Sequence, residues 1–215
     1  MDLYKFENEL NEFIKIGNLD KAIQITESEL KKLPTTDFHK VLNRDLLHLS
    51  KNLNDYLTTF YKNSKNNIEG KKLGFLSSLS QKNQETSKSL KAIYCEMNGF
   101  TINYDLWFLS GFAYSFCNDL DDIDWLADYD YSTDNIFIIS GFEDLQNVYK
   151  DYMENEKWND KNLEIACDLC AILITLRLEE LFRETYMNAQ NSDEKWKEIP
   201  LFVTSHDSEL VYRTK

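Results

Sequence analysis

Leu3, Phe6, Leu10, Phe13 and Ile14 recur at three- and four-residue spacing and stop at Gly17, a pattern that predicts an amphipathic helix with a glycine stop signal. Leu19, Ala22, Ile23, Ile25, Leu30 and Leu33 repeat that spacing up to Pro34 and predict a second helix. Asp37 is placed to cap a third, whose apolar stripe is Phe38, Val41, Leu42, Leu46, Leu49, Leu53, Leu57 and Phe60. Residues 1–63 therefore read as a helical N-terminal region. From 64 to 90 the chain turns rich in Lys, Ser, Asn and Gln, a polar connector in which Leu73, Phe75, Leu76 and Leu79 suggest one short helix.

The period then changes. Ala92 to Met97 and Asp105 to Phe116 read as β-rich runs separated by the turn dipeptide Asn98-Gly99, and Asn135 to Ile139 reads as a further short buried strand. Ser140-Gly141-Phe142-Glu143 has capping-box spacing, with Leu145, Val148, Tyr149 and Tyr152 following on one helical face. Asn159 or Asp160 opens a long helix to about Asn188, apolar around so much of its circumference that it is expected to be central and buried. Leu201 to Thr204 and Glu209 to Tyr212 flank Ser205-His206-Asp207-Ser208, which predicts a terminal hairpin. Residues 91–215 thus form one α+β unit, a small and mainly antiparallel sheet packed on a long C-terminal helix. Gly17-Asn18-Leu19-Asp20-Lys21-Ala22, followed by Pro34, resembles one tetratricopeptide hairpin. There is no second copy, and a solenoid needs about three repeats to bury its faces, so a helical-repeat-derived scaffold stands as a subsidiary reading.

Composition narrows the class. Within 215 residues, 42% hydrophobic and 13% aromatic content is enough to close a core without metals or disulfides, and 6 Gly with 2 Pro exclude collagen-like and linker-like chains. No apolar run approaches the roughly eighteen residues of a membrane span. Met1-Asp2-Leu3-Tyr4-Lys5 is unlike an export leader, so a cytoplasmic, reducing setting is expected. Cys95, Cys117, Cys167 and Cys170 are accordingly read as free thiols. Cys167-Asp168-Leu169-Cys170 lies inside the long helical pattern rather than at a helix start, which favours buried core thiols over a redox pair.

Charge changes the picture most. The net charge is −13, and the segment between Lys91 and Lys150 has eleven acids with no Lys, Arg or His. The same segment carries fourteen of the aromatic residues, among them Trp107, Trp125, Tyr129 and Tyr131. Acids interleaved with large rings describe a folded surface rather than a solvated tail, because so much apolar area does not stay in water. Like charges on one face repel, so their concentration calls for an explanation: a solubilising loop, or a docking face for a basic partner.

Catalytic motifs are sparse. Asp119-Leu120-Asp121-Asp122-Ile123-Asp124 invites a metal reading, but a calcium loop counted from Asp119 needs Gly where Asp124 stands. Asp128-Tyr129-Asp130-Tyr131-Ser132 has the spacing of aspartyl phosphatases without the βαβ alternation that should surround it. His39 and His48 are expected to be exposed on the third helix, and His206 to serve turn chemistry. No phosphate-binding glycine loop or serine-nucleophile elbow occurs, and 4 Arg without a basic stripe argue against direct nucleic-acid binding.

In size, acidity, lack of catalytic motifs and the stretch Ala92 to Tyr131, with its Trp125-Leu126-Ala127-Asp128-Tyr129, the chain resembles the immunity proteins that bacteria pair with their own polymorphic toxins. That resemblance implies a cytoplasmic protein that covers the active cleft of a cognate toxin. A toxin acting on nucleic acid is usually basic, so an acidic face would mimic the phosphate backbone. The expected contact residues are Asp119, Asp121, Asp122, Asp124, Trp125, Asp128, Tyr129, Asp130, Tyr131 and Asp134, with no cofactor and no catalytic residue. For Trp125 alone, burial in the core is the competing reading. A metal-dependent hydrolase using residues 119–134 is the alternative function.

Overall fold

The computed structural model describes residues 1–70, 88–120 and 122–214. Within them the fold is α+β, with five α-helices and a six-stranded sheet. Helices α1 (Leu3–Lys15) and α2 (Leu19–Lys32) form the expected hairpin, turning at Gly17 and burying Leu10, Leu19 and Ala22 completely. Helix α3 spans Ser50–Gly70, α4 Glu143–Glu154 and α5 Lys161–Ala189. Asp160 caps α5 by accepting from the amides of Asn162 and Leu163, as its position before the apolar run predicts. Helix α5 lies between the α1–α2 hairpin and the sheet, which is why its apolar residues occupy nearly every side.

The strands are β1 (Ala92–Met97), β2 (Phe108–Tyr114), β3 (Tyr131–Ser132), β4 (Phe137–Ile138), β5 (Leu201–Ser205) and β6 (Tyr212–Arg213), in the order β3-β2-β1-β5-β6, with β4 also on β2. Every pairing is antiparallel except β1 with β5, where Ile93 faces Leu201 and Met97 faces Ser205 in parallel. Alternation along β1 sends Ile93, Cys95 and Met97 to the inner face and Ala92, Tyr94 and Glu96 to the outer one. The inner face packs on α3 and α5. Gly111 of β2 is required there: a Cβ would meet the Phe60 ring at 2.8 Å and the Tyr56 hydroxyl at 2.9 Å.

Four expectations need correction. The third helix does not begin at Asp37. Residues 37–41 and 47–49 are short 3-10 turns, and α3 starts only at Ser50 and continues to Gly70, beyond the expected end of the helical region. Asn43 adopts a left-handed φ of 57° and Asp45 folds its carboxylate back onto the Leu47 amide, local chemistry that breaks the helical run. His39 is consequently half-buried rather than exposed, accepting from the Thr36 amide and lying 2.9 Å from the Leu30 carbonyl.

The capping box at Ser140 does not form. Gly141, at φ +100°, turns the chain so that α4 starts at Glu143, whose carboxylate accepts from the Gly141 amide. Asn98-Gly99 does not make a two-residue hairpin either: a loop runs to Trp107, held by Asn98, which donates to the Leu106 carbonyl and accepts from the Phe108 amide, both at 2.8 Å. Burial of Trp107 against Phe100 and Tyr149 draws that loop into the core. The terminal hairpin exists, but its second strand is Tyr212–Arg213. The short helix expected at Leu73 to Leu79 lies outside the described residues.

Cys95, Cys167 and Cys170 are buried and free, as expected for core thiols, and burial pushes the Cys170 thiol up to about 12.

Candidate interaction face

Among the described residues the outer face of the sheet has no α-helix over it. Tyr94, Phe112, Tyr114 and Phe202 project outward, and residues 116–120 and 122–130 fold across part of them. Trp125 closes this layer: it is 6% exposed, and its ring meets Tyr114 at 5.0 Å, Phe202 at 5.3 Å and Phe116 at 5.7 Å. Its indole N–H donates to the Asp119 carbonyl at 3.2 Å, and the Tyr114 hydroxyl donates to the Leu126 carbonyl at 2.7 Å. Trp125 is therefore core of the outer layer, which corrects its place among the contact residues. A ring enclosed on this many sides has no face left for a partner.

The other half of the face remains open. Phe108, Ser110 and Phe112 are only half-buried, and Ile138, opposite Phe108 and so on the same face, is 52% exposed. Tyr129 is 48% exposed and leans on Phe112 with ring centroids 4.9 Å apart. Glu96 lies on this face between two partners, accepting from the Tyr94 hydroxyl at 2.7 Å and holding His206 Nδ1 at 2.7 Å. That hydrogen bond raises the His206 pKa above its ordinary value.

The acids divide into two groups. Asp130 is only 17% exposed and takes Lys88 at 2.7 Å and the Ser115 amide at 2.6 Å. Desolvation would raise its pKa, but these hydrogen bonds outweigh it and hold the carboxyl below its usual range. Asp105 pairs with Lys150, Asp144 with Arg44, and Asp119 stands 3.7 Å from Arg213. These basic residues come from outside the acidic segment, so its charge is partly neutralised on folding and the face is less negative than a count of acids implies. Asp122, Asp124, Asp128 and Asp134 are exposed, and among the described residues none has an ion pair. Asp122 accepts from the Asp124 amide at 3.0 Å, which shapes the 3-10 turn carrying Trp125. Tyr131 turns away from this face, since its ring lies 6.0 Å from that of Phe60 on α3. Asp121 lies outside the described residues.

Five residues of the open face escaped sequence reasoning: Phe108, Ser110, Phe112, Ile138 and Glu96. The alternation Phe108, Ser110, Phe112, Tyr114 was the available signal, since it puts three aromatic rings on one side of a strand. Among the described residues no three His, Cys, Asp or Glu side chains are grouped to hold a metal ion, and no helix is long and apolar enough to cross a membrane. Comparison with family models, with curated proteins and with solved structures finds no match to this chain.

Proposed function

We propose that this is a cytoplasmic binding protein of the immunity type, which captures a basic partner, a toxin directed at nucleic acid, on the open half of its outer sheet face. The observation that carries the reading is the pairing of Tyr129 with Phe112: a half-exposed loop ring held against a strand residue, with exposed carboxylates in the same loop that have no ion pair among the described residues. Aromatic rings of this kind, apolar in body and polar at the tip, are what a protein interface uses as anchors. The exposed acids Asp122, Asp124, Asp128 and Asp134 steer the encounter, because charges in water act over about a Debye length, ~8 Å at physiological salt.

The test uses the protein encoded by the neighbouring open reading frame as partner. Replacing Asp122, Asp124 and Asp128 together by Asn is expected to lower the association rate by about tenfold at low salt and to flatten its salt dependence. Tyr129→Ala is expected to raise the dissociation rate, for a loss of about 2 kcal/mol. Unchanged rates in both variants would show that the face is not the binding surface.

A further inference from the structure

We propose that a cavity at the carboxyl ends of β1 and β5 is a binding site for a cationic group on a short apolar stem, an alkylammonium or alkylguanidinium. It has a volume of about 310 Å³, opens to solvent, and is bounded by α1, α4, α5 and the loops that follow the two parallel strands. Ligand sites in open sheets with parallel strands form outside those strand ends, where the departing loops leave a crevice. This place meets the open outer face through the His206–Glu96 contact, but its carboxylates lie on α1 and α5, and the proposal does not rest on the interaction reading.

The lining has two parts. Leu3, Phe100, Ile102 and Ile172 supply apolar wall, wide enough for a short methylene chain. Glu7 of α1 and Asp168 of α5 supply charge. Both carboxylates are partly withdrawn from water, and among the described residues neither has a hydrogen bond or ion pair. Elsewhere in this fold comparable acids take Lys or Arg, as Asp130 takes Lys88 and Glu27 takes Arg177. Two unpaired carboxylates facing one partly apolar cavity, whose other lining includes the Thr101, Thr175, Ser205 and Ser208 side chains, supply the complement of a cation on an apolar stem. Burial, with Glu209 and Asp168 nearby, raises the Glu7 pKa; burial and Glu164 bring Asp168 to about 6.

The remaining titratable groups around the cavity are His206, Asp207 and Glu209 on the loop after β5, Glu96 of β1 behind His206, Glu164 beside Asp168, and Tyr149 and Cys167, whose pKa values burial raises so that they stay neutral. His206, when protonated, competes with a bound amine for the negative field. Raising the pH from 5 to 7.5 carries Asp168 through its pKa of about 6 and ionises it, so affinity for a cation rises over that window.

Titration of the full-length protein with pentylammonium, read by methyl NMR, tests this. At pH 7.5 the methyl signals of Ile102, Ile172 and Leu3 should shift saturably while that of Ile138 on the outer face stays still. The affinity should fall by about tenfold at pH 5 and in the Glu7→Gln, Asp168→Asn double variant. Ala171→Leu, which fills the apolar floor with both carboxylates intact, should weaken binding as well. A lysine in a capped tripeptide serves as the second arm: tighter binding of free pentylammonium assigns the site to small amines, tighter binding of the peptide to a side chain of a partner, and both support the chemistry. The proposal is overturned by equal binding of 1-pentanol, by an absence of saturation at pH 7.5, or by full affinity in a double variant that melts like the parent.

Discussion

The two faces of the sheet solve the same problem with different means. On the inner face, α3 and α5 bury a large apolar volume, and some polar groups inside it have no partner among the described residues: both carboxylate oxygens of Glu179, the indole N–H of Trp107 and of Trp196, and the Ser64 hydroxyl. On the outer face, one loop lies over a handful of rings, and the polar tips of Trp125, Tyr114 and Tyr94 are all hydrogen-bonded, while Arg213 Nε, over the Phe202 ring, has no partner among the described residues. A deep core gains enough from burial to carry a few unsatisfied groups, each costing about 1–3 kcal/mol. A thin layer has less of that reserve, so the polar tips of its rings are held by bonds that also fix their direction. The outer layer owes its shape to specific contacts and the inner one to sheer burial.

Deletion of one large ring from each side gives the strongest contrast. Phe60→Ala, emptying the space against Gly111, is expected to cost about 3–5 kcal/mol and to accelerate amide exchange throughout β1 and β5. Trp125→Ala is expected to cost about 3 kcal/mol, with the exchange gain concentrated in residues 116–130. Equal acceleration everywhere in both variants would mean that the two layers open as one unit.

Glu179 sharpens the comparison next. It is fully buried and has no partner among the described residues, and desolvation drives its pKa far above the carboxylate range. Its folded form holds a proton that the unfolded chain releases near neutrality, so its contribution is complete below the ordinary carboxylate pKa and declines as the pH rises above it. Glu179→Met should therefore stabilise the protein by about 1–3 kcal/mol at pH 8 and by less at pH 4, as read by denaturant unfolding at each pH. A gain independent of pH would mean that the carboxyl is not kept neutral by the fold.

Asp130 has the opposite sign. Its pKa is depressed in the fold by Lys88 and Ser115, so its contribution is present above the ordinary aspartate pKa and lost as the pH falls through the folded value. Asp130→Asn is expected to cost about 1–2 kcal/mol near pH 7 and little in acid. The smallest effect is expected for Asp122, Asp124 and Asp128 replaced by Asn together, within about 0.5 kcal/mol of the parent, because exposed unpaired acids carry little fold stability. A large loss of stability there would place them in the structure of the outer layer rather than on its surface.

Much of this contrast was readable in the residues and part was not. The all-round apolar pattern of α5 and the cap at Asp160 announced the central helix, since both signals are local. The breaks at Asn43 and Gly141 were missed because a single left-handed residue interrupts an apolar stripe without altering its spacing. The parallel partnership of β1 and β5 could not be read at all: buried strands show composition, not the identity of their neighbours. The acidic segment was conspicuous, but its neutralisation depends on Lys88, Lys150, Arg44 and Arg213, brought to it only by tertiary folding. Asp168, a carboxylate between Cys167 and Leu169 in an otherwise apolar run, was a visible sign of the cavity that the C-x-x-C pattern obscured.

The parallel pairing of Ile93 with Leu201 also has a consequence for biosynthesis. Strand β1 emerges from the ribosome long before the strand that fills its second edge, and β2 can cover only the other side. Through that interval the nascent chain presents an unpaired edge of Ala, Ile, Tyr and Cys, of the kind that invites pairing with another chain. Helix α5 is made just before β5 and lies against it in the fold, so the final pairing closes the edge and seats the central helix in the same event. Slow translation or early termination within α5 would leave that edge open, and the cell would meet it as an aggregation problem.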